Sequence, residues 1–249
     1  NLVLEAKKFM HENNIDINNV ICHAPYIINL ANREKEEAWN FSISFLKQEI
    51  NRITQMGVGY IVVHPGNSLK IERNVALANI ADAINLIIDD NTKPMILLET
   101  MAGKGTECGI NMNEIKFILD RIIIKDKVGV CLDTCHLNDS GVDISKFTEY
   151  LDSFDKVIGI DKIKCIHVND SKNVLGAKKD RHENIGLGTI GFDNLLNVIY
   201  SKQLKNVPKI LETPWINDCP PYKFEIEMIK NKKFNNDLVN DVMAYYSKE

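Results

Sequence analysis

Six apolar runs, each followed by a stretch of helical period, end in histidine or carboxylate. The runs are ICHAPY (21–26), YIVVHPG (60–66), MILLET (95–100), VGVCLDTCH (128–136), IKCIHVND (163–170) and KILET (209–213). At or just past their ends stand His23, His64, Glu99, Asp133 with His136, His167 and Glu212, and a loop after the fifth run adds Asp180 and His182. Strands that are apolar throughout, and not merely at alternate positions, are buried on both faces, and helices between them force a parallel sheet. A parallel α/β barrel keeps its chemistry at the carboxyl ends of its strands. One histidine in such a place is more often a core residue satisfied by a hydrogen bond. Nine such groups at equivalent places make a metal cluster.

The segments between the runs carry helical stripes. Trp39, Ile43, Leu46, Ile50 and Ile53 fall on one face, as do Leu77, Ile80, Ile84 and Ile87, then Ile115, Ile118, Leu119 and Ile122, and Leu151, Phe154 and Val157. The fold class read from this alternation is α/β, a (β/α)8 TIM barrel occupying 1–249 as one domain. Successive runs start about 38 residues apart, the size of one βα unit. Six strands are visible where a closed barrel has eight, and the chain starts at Asn1 inside an amphipathic stretch (Leu4, Ala6, Phe9, Met10). The expectation is a barrel whose first one to two strands lie upstream, the first opening on a Gly-x-His type turn.

With 45% hydrophobic and 26% charged residues, the chain can bury a large core. No apolar stretch approaches the roughly 18 residues of a membrane span and no signal peptide is read, so a cytoplasmic protein without membrane contact is expected. Six cysteines sit mostly within the strand-like runs and read as buried thiols of a reducing compartment; Cys131 and Cys135 lack the zinc-ribbon spacing and read as structural. A net charge of −4 argues against a broad basic surface for nucleic acid. At the strand ends, however, three divalent ions would outweigh four carboxylates and draw a phosphate diester.

Imidazole and carboxylate in near balance, without thiolate, suit zinc or another first-row divalent ion; magnesium and calcium prefer all-oxygen shells. Nine ligands exceed the needs of two ions with open water positions, so three ions with one bridging carboxylate fit better. Asp133 and His136 leave one strand three residues apart and could face different ions, whereas Asp180 and His182 could point at one.

The segments HAPY (23–26), HPG (64–66), ETMAGKG (99–105), GVCLDTCH (129–136), HVND (167–170), DRHENIGLG (180–188) and ILET (210–213), in order and at suitable spacing over essentially the whole chain, resemble the signatures of endonuclease IV, the second family of abasic-site endonucleases. The resemblance implies a trinuclear zinc barrel that incises duplex DNA 5′ to an abasic site, leaving a 3′-hydroxyl and a 5′-deoxyribose phosphate. It assigns His23, His64 and Glu99 to one ion, Glu99, Asp133, His167 and Glu212 to a second, and His136, Asp180 and His182 to a third, with manganese as an option at one site. Glu99, Asp133 and Glu212 are then the catalytic carboxylates. Diester hydrolysis needs a strong nucleophile and a stabilised leaving oxygen, which zinc-activated water and a third cation would provide. That the carboxylates merely cap helices explains one or two of them, not four beside five histidines.

For DNA, Tyr26 and Ile27 match the place where the family inserts side chains into the duplex, against the plainer reading that an aromatic after a strand packs inward. Lys178, Lys179 and Arg181 are candidates for phosphate contact, or else a solvated loop. The expected partner is abasic-site duplex, engaged by a monomer. A divalent-metal sugar isomerase or epimerase shares the barrel but would not require His136, Asp180 and His182. A damage-binding protein with a spent site is the third reading, and the complete ligand set argues against it.

Overall fold

The computed structural model describes residues 2–247. Helix α1 (Leu2–Glu12) leads to β1 (Cys22–His23), followed by α2 (Glu36–Met56), β2 (Tyr60–Val63), α3 (Arg73–Ile87), β3 (Met95–Glu99), α4 (Met112–Arg121), β4 (Val128–Asp133), α5 (Thr134–Ser140), α6 (Phe147–Val157) and β5 (Ile163–His167). An antiparallel hairpin of β6 (Asp170–Ser171) and β7 (His182–Glu183) precedes α7 (Phe192–Ile199), β8 (Lys209–Ile210), α8 (Tyr222–Asn231) and α9 (Leu238–Tyr246). The main sheet runs β1-β2-β3-β4-β5-β8 with every neighbour parallel. These are the six strands of the sequence reading. Among the described residues β1 and β8 border the sheet without pairing to each other. None of the described helices is long and apolar enough to cross a membrane.

The stripes bury as their spacing requires. Trp39, Ile43, Leu46, Ile50 and Ile53 are buried on α2, which stops at Gly57, a residue in the left-handed region (φ 89°) whose N–H caps the Ile53 and Thr54 carbonyls. Leu77, Ile80, Ile84 and Ile87 do the same on α3, and Ile115, Ile118 and Leu119 on α4, with Ile122 buried just past the helix end. On α6, Leu151 and Phe154 are buried and Val157 only half so. Helix α1 departs from the pattern: it rests against α2, none of its residues is buried, and Leu4 and Phe9 stay exposed because nothing else covers that face among the described residues.

The strands separate two layers. Ile61, Val63, Ile96, Leu98, Val130, Leu132 and Ile166 point outward into the helices, while Val62, Leu97, Cys131 and Cys165 form an inner cluster. A fully buried Leu or Ile contributes about 1.5–3 kcal/mol. Stability therefore rests mainly on the outer layer, and the inner one can carry chemistry. Side chains repeat every second residue along a strand, so the next inward positions after Val62, Leu97, Cys131 and Cys165 are His64, Glu99, Asp133 and His167. The curl of the sheet brings His23 to the same place. Its ring lies 5.7 Å from that of His167, although four strand spacings of a flat sheet would set β1 and β5 about 19 Å apart.

Candidate metal centre

Glu99 is the hub. Buried at the end of β3, it places Oε2 3.0 Å from His23 Nε2 and 3.1 Å from His64 Nε2, and Oε1 3.1 Å from His167 Nδ1 and 3.3 Å from His136 Nδ1. A second focus joins Glu99, Asp133, His167 and Glu212, whose donor atoms all lie within 4.8 Å of one another; His167 Nδ1 is 3.1 Å from Glu212 Oε2. In a third, His136 Nε2 is 3.1 Å from Asp180 Oδ1, and His182 Nε2 lies 3.6 Å from Asp180 Oδ1 and 3.7 Å from Asp133 Oδ2. All nine sequence-selected residues thus meet on one end of the sheet.

The imidazoles are oriented as ligands. His23 Nδ1 is 2.7 Å from the Ala24 carbonyl, His136 Nδ1 2.9 Å from that of Thr100, and His182 Nδ1 3.2 Å from that of Glu212. A carbonyl only accepts, so each Nδ1 carries a proton, and Nε2 is the nitrogen that either donates a second proton to the facing carboxylate or, once that proton is lost, shares a cation with it. His182 Nε2 is buried with no hydrogen-bond partner among the described residues. Leaving such an atom unpaired costs about 1–3 kcal/mol, which a cation would remove. Two ligands about 2.0–2.1 Å from a tetrahedral centre stand about 3.4 Å apart, and the 3.0–3.7 Å separations between the Nε2 atoms and these oxygens bracket that value. The residues fit a cluster of first-row divalent ions.

Electrostatics point the same way. Burial alone would raise the Glu99 carboxyl, yet the charge of His167 and hydrogen bonds from His136, His167 and His23 hold it well below the usual carboxylate range. Burial would lower His136 and His167, but Asp133 and Glu99 drive the first, and Glu99 the second, well above the ordinary imidazole range. Burial likewise opposes and His136 and His167 prevail in lowering Asp180 and Glu212. The carboxylates demand positive charge between them.

Supporting groups escaped the sequence reading. Asn169, fully buried, donates to Asp133 Oδ2 at 2.6 Å and accepts the Glu212 N–H at 2.8 Å, joining ligands from two strands. Asp139, also fully buried, accepts from Ser171 Oγ (2.7 Å), Asn173 Nδ2 (2.9 Å), Asn138 Nδ2 (3.1 Å) and the backbone N–H of Asp180 (2.9 Å). The signal for Asn169 in the sequence is a polar residue closing an apolar run, as in HVND, whereas Asp139 sits in a polar stretch (TCHLNDS) and carries none. Helix capping is real at Asp133, where Oδ1 accepts the His136 N–H at 2.7 Å while Oδ2 faces the cluster.

The stretch carrying Asp180 and His182 is less open than a loop. His182 belongs to β7, paired to Ser171 of β6. The Asp170 carboxylate gathers the N–H groups of Gly186, Ile190 and Gly191, and a Cβ at Gly188 would stand 2.4 Å from Asp170 Oδ1, so this turn closes only on glycine. Cys135 is buried beside Asp133 and His182, its thiol pushed up by burial and by Asp133. Beyond the strands, Tyr26 is 89% exposed and Ile27 62%, which removes the inward-packing reading. Lys178, Lys179 and Arg181 are exposed beside Asp180. Trp215, unremarked in the sequence, is 58% exposed just past Glu212.

Comparison with known proteins agrees with this architecture. Residues 2–232 match the xylose isomerase-like TIM barrel family. The curated probable endonuclease 4 of Acholeplasma laidlawii is 51% identical over 238 residues, covering 94% of this chain and 80% of that protein. The crystal structure of endonuclease IV from Thermus thermophilus superposes with a TM-score of 0.76 at 28% identity, covering 91% of this chain and 80% of the other. A D-tagatose 3-epimerase-like protein shares the fold alone, with a TM-score of 0.70 at 20% identity over 96% of this chain and 84% of the other. Fold, cluster and kinship agree, and the chain belongs to the endonuclease 4 family of xylose isomerase-like TIM barrel proteins.

Proposed function

We propose that the protein is a zinc-dependent endonuclease of DNA repair that cuts duplex DNA 5′ to abasic sites, leaving a 3′-hydroxyl and a 5′-deoxyribose phosphate. The observation that carries this reading is the convergence of three donor groups on shared carboxylates, with the His182 nitrogen left unpartnered among the described residues. His23, His64 and Glu99 would hold one zinc ion, Glu99, Asp133, His167 and Glu212 a second, and His136, Asp180 and His182 a third. Zinc, when bound, supplies Lewis acidity and acidifies water to a pKa of about 7.

The chain's own groups supply the rest. Glu99 aims four imidazoles, and the carbonyls of Ala24, Thr100 and Glu212 fix three tautomers. Lys178, Lys179 and Arg181 meet backbone phosphates and set the register of the duplex. Tyr26 and Ile27 enter the duplex where a base is missing and flipping costs least. Trp215 offers a further stacking surface. No side chain need attack phosphorus.

Zinc content tests the cluster. After zinc saturation and removal of loosely bound metal, elemental analysis should find three ions per chain, and two or fewer would favour an epimerase-like centre without the His136, Asp180 and His182 ion. Tyr26→Ala separates wedge from metal: abasic duplex should bind at least about tenfold more weakly, the scale of one lost stacking contact, with zinc content unchanged. Loss of zinc would instead show that Tyr26 supports the metal centre and would sink the wedge role.

A further inference from the structure

One layer beneath the histidines lies a second set of donors. Cys131 and Cys165 stand opposite each other in the β4–β5 pairing and both are fully buried. Their sulfurs and a ring nitrogen of His167 all lie within 4.8 Å of one another. The opposition depends on a local irregularity: the pairing shifts between Val130 and Cys131, so that Val130 faces Ile163 while Cys131 faces Cys165 and not Lys164. Val62 and Leu97 pack with the two sulfurs, while His167 also faces Glu99 and Glu212.

We propose that Cys131, Cys165 and His167 form a further, thiolate-rich metal site, sharing His167 with the cluster, that takes a soft divalent ion of the cadmium class. Thiolate sulfur selects soft metals, and no carboxylate belongs to this group of three, which disfavours hard ions. Charge balance selects the valence. On binding, the protons held by the two sulfurs and by the ligating nitrogen of His167 pass to solvent, and two thiolates, one divalent cation and one neutral imidazole sum to zero. Beside the Glu99 and Glu212 carboxylates a complex without net charge adds no further negative charge, whereas a monovalent soft ion would leave one more buried negative charge. His167 also belongs to the cluster above, so an ion held below draws on a side chain the cluster needs. Cadmium capture should therefore depress incision; that consequence alone rests on the nuclease reading.

The test uses the metal-free, reduced full chain titrated with cadmium chloride. Beyond the ions taken by the nine-donor cluster, one cadmium per chain should bind with an ultraviolet thiolate-to-cadmium charge-transfer band, and X-ray absorption should find two sulfur neighbours per such ion. Cys165→Ser should leave one sulfur and weaken binding at least about tenfold, the loss that removal of even a supporting partner of a metal ligand causes. Cys131→Ser with Cys165→Ser should abolish the band, while Cys135→Ala should leave it intact. Saturating cadmium without any sulfur neighbours, or a full band in the double variant, overturns the site. Should the double variant fail to fold by circular dichroism, the single variant decides: two sulfurs persisting in Cys165→Ser also overturns it. In the activity arm, Cys165→Ser should relieve cadmium inhibition of abasic-duplex cutting. A wild type that shows the band but never cuts would sink the nuclease reading and leave the soft-metal site standing.

Discussion

Glu212→Gln should lower cutting of an abasic-site duplex by at least about a hundredfold, the scale seen when transition-state electrostatics are disturbed, with the duplex still bound. Glutamine keeps the length and shape of the side chain and removes one negative charge. In the native structure that charge lies 3.1 Å from His167 Nδ1, and the carboxyl is held low against its burial by that histidine. The Glu212 backbone is fixed independently, its N–H on Asn169 and its carbonyl accepting from His182 Nδ1, so the substitution should alter charge and not placement. Single-turnover cutting and a binding isotherm measured together check this. Native turnover by the variant would remove Glu212 from the catalytic carboxylates.

Asp139→Ala should be costly in a different way. Asp139 contacts none of the proposed ions directly; it collects four donors, one of them the N–H of Asp180, in a fully buried pocket. Removing it strands those donors, each at about 1–3 kcal/mol if no water replaces the carboxylate. A net loss of about 3 kcal/mol corresponds to a fall in Tm of roughly 6–12 °C for a chain of this size. The β6–β7 hairpin should loosen, and with it the Asp180 and His182 pair, so zinc content should drop from three ions toward two. Thermal unfolding and elemental analysis of the same preparation test both effects. An unchanged Tm with full zinc content would show that the hairpin holds its shape without Asp139.

Much of this was legible in the amino-acid order because two periodicities coincide with two jobs. The 3.6-residue stripes of α2, α3 and α4 mark what lies on the sheet, and the strand alternation puts His64, Glu99, Asp133 and His167 one inward step past apolar residues. Ligands at strand ends are therefore visible without coordinates. What stayed hidden depends on contacts between distant segments. Asn169 joins Asp133 to Glu212 through pairings that no local pattern encodes. The Cys131 and Cys165 juxtaposition follows from a register shift, which the spacing of the two residues does not reveal. The β6–β7 pairing depends on side-chain carboxylates gathering backbone N–H groups, so the DRHENIGLG segment reads as a loop from its composition alone. Tyr26 and Trp215 show the limit of reading aromatics as core: both are exposed, each just beyond a strand that delivers a ligand.

The decisive measurement is the cutting of a duplex bearing a single abasic site by zinc-replete protein. One incision should appear on the 5′ side of the lesion, yielding a 3′-hydroxyl that a polymerase extends and a 5′-deoxyribose phosphate, abolished by chelation and restored by zinc. An uncut abasic duplex in the presence of fully metallated, folded protein would contradict the nuclease reading.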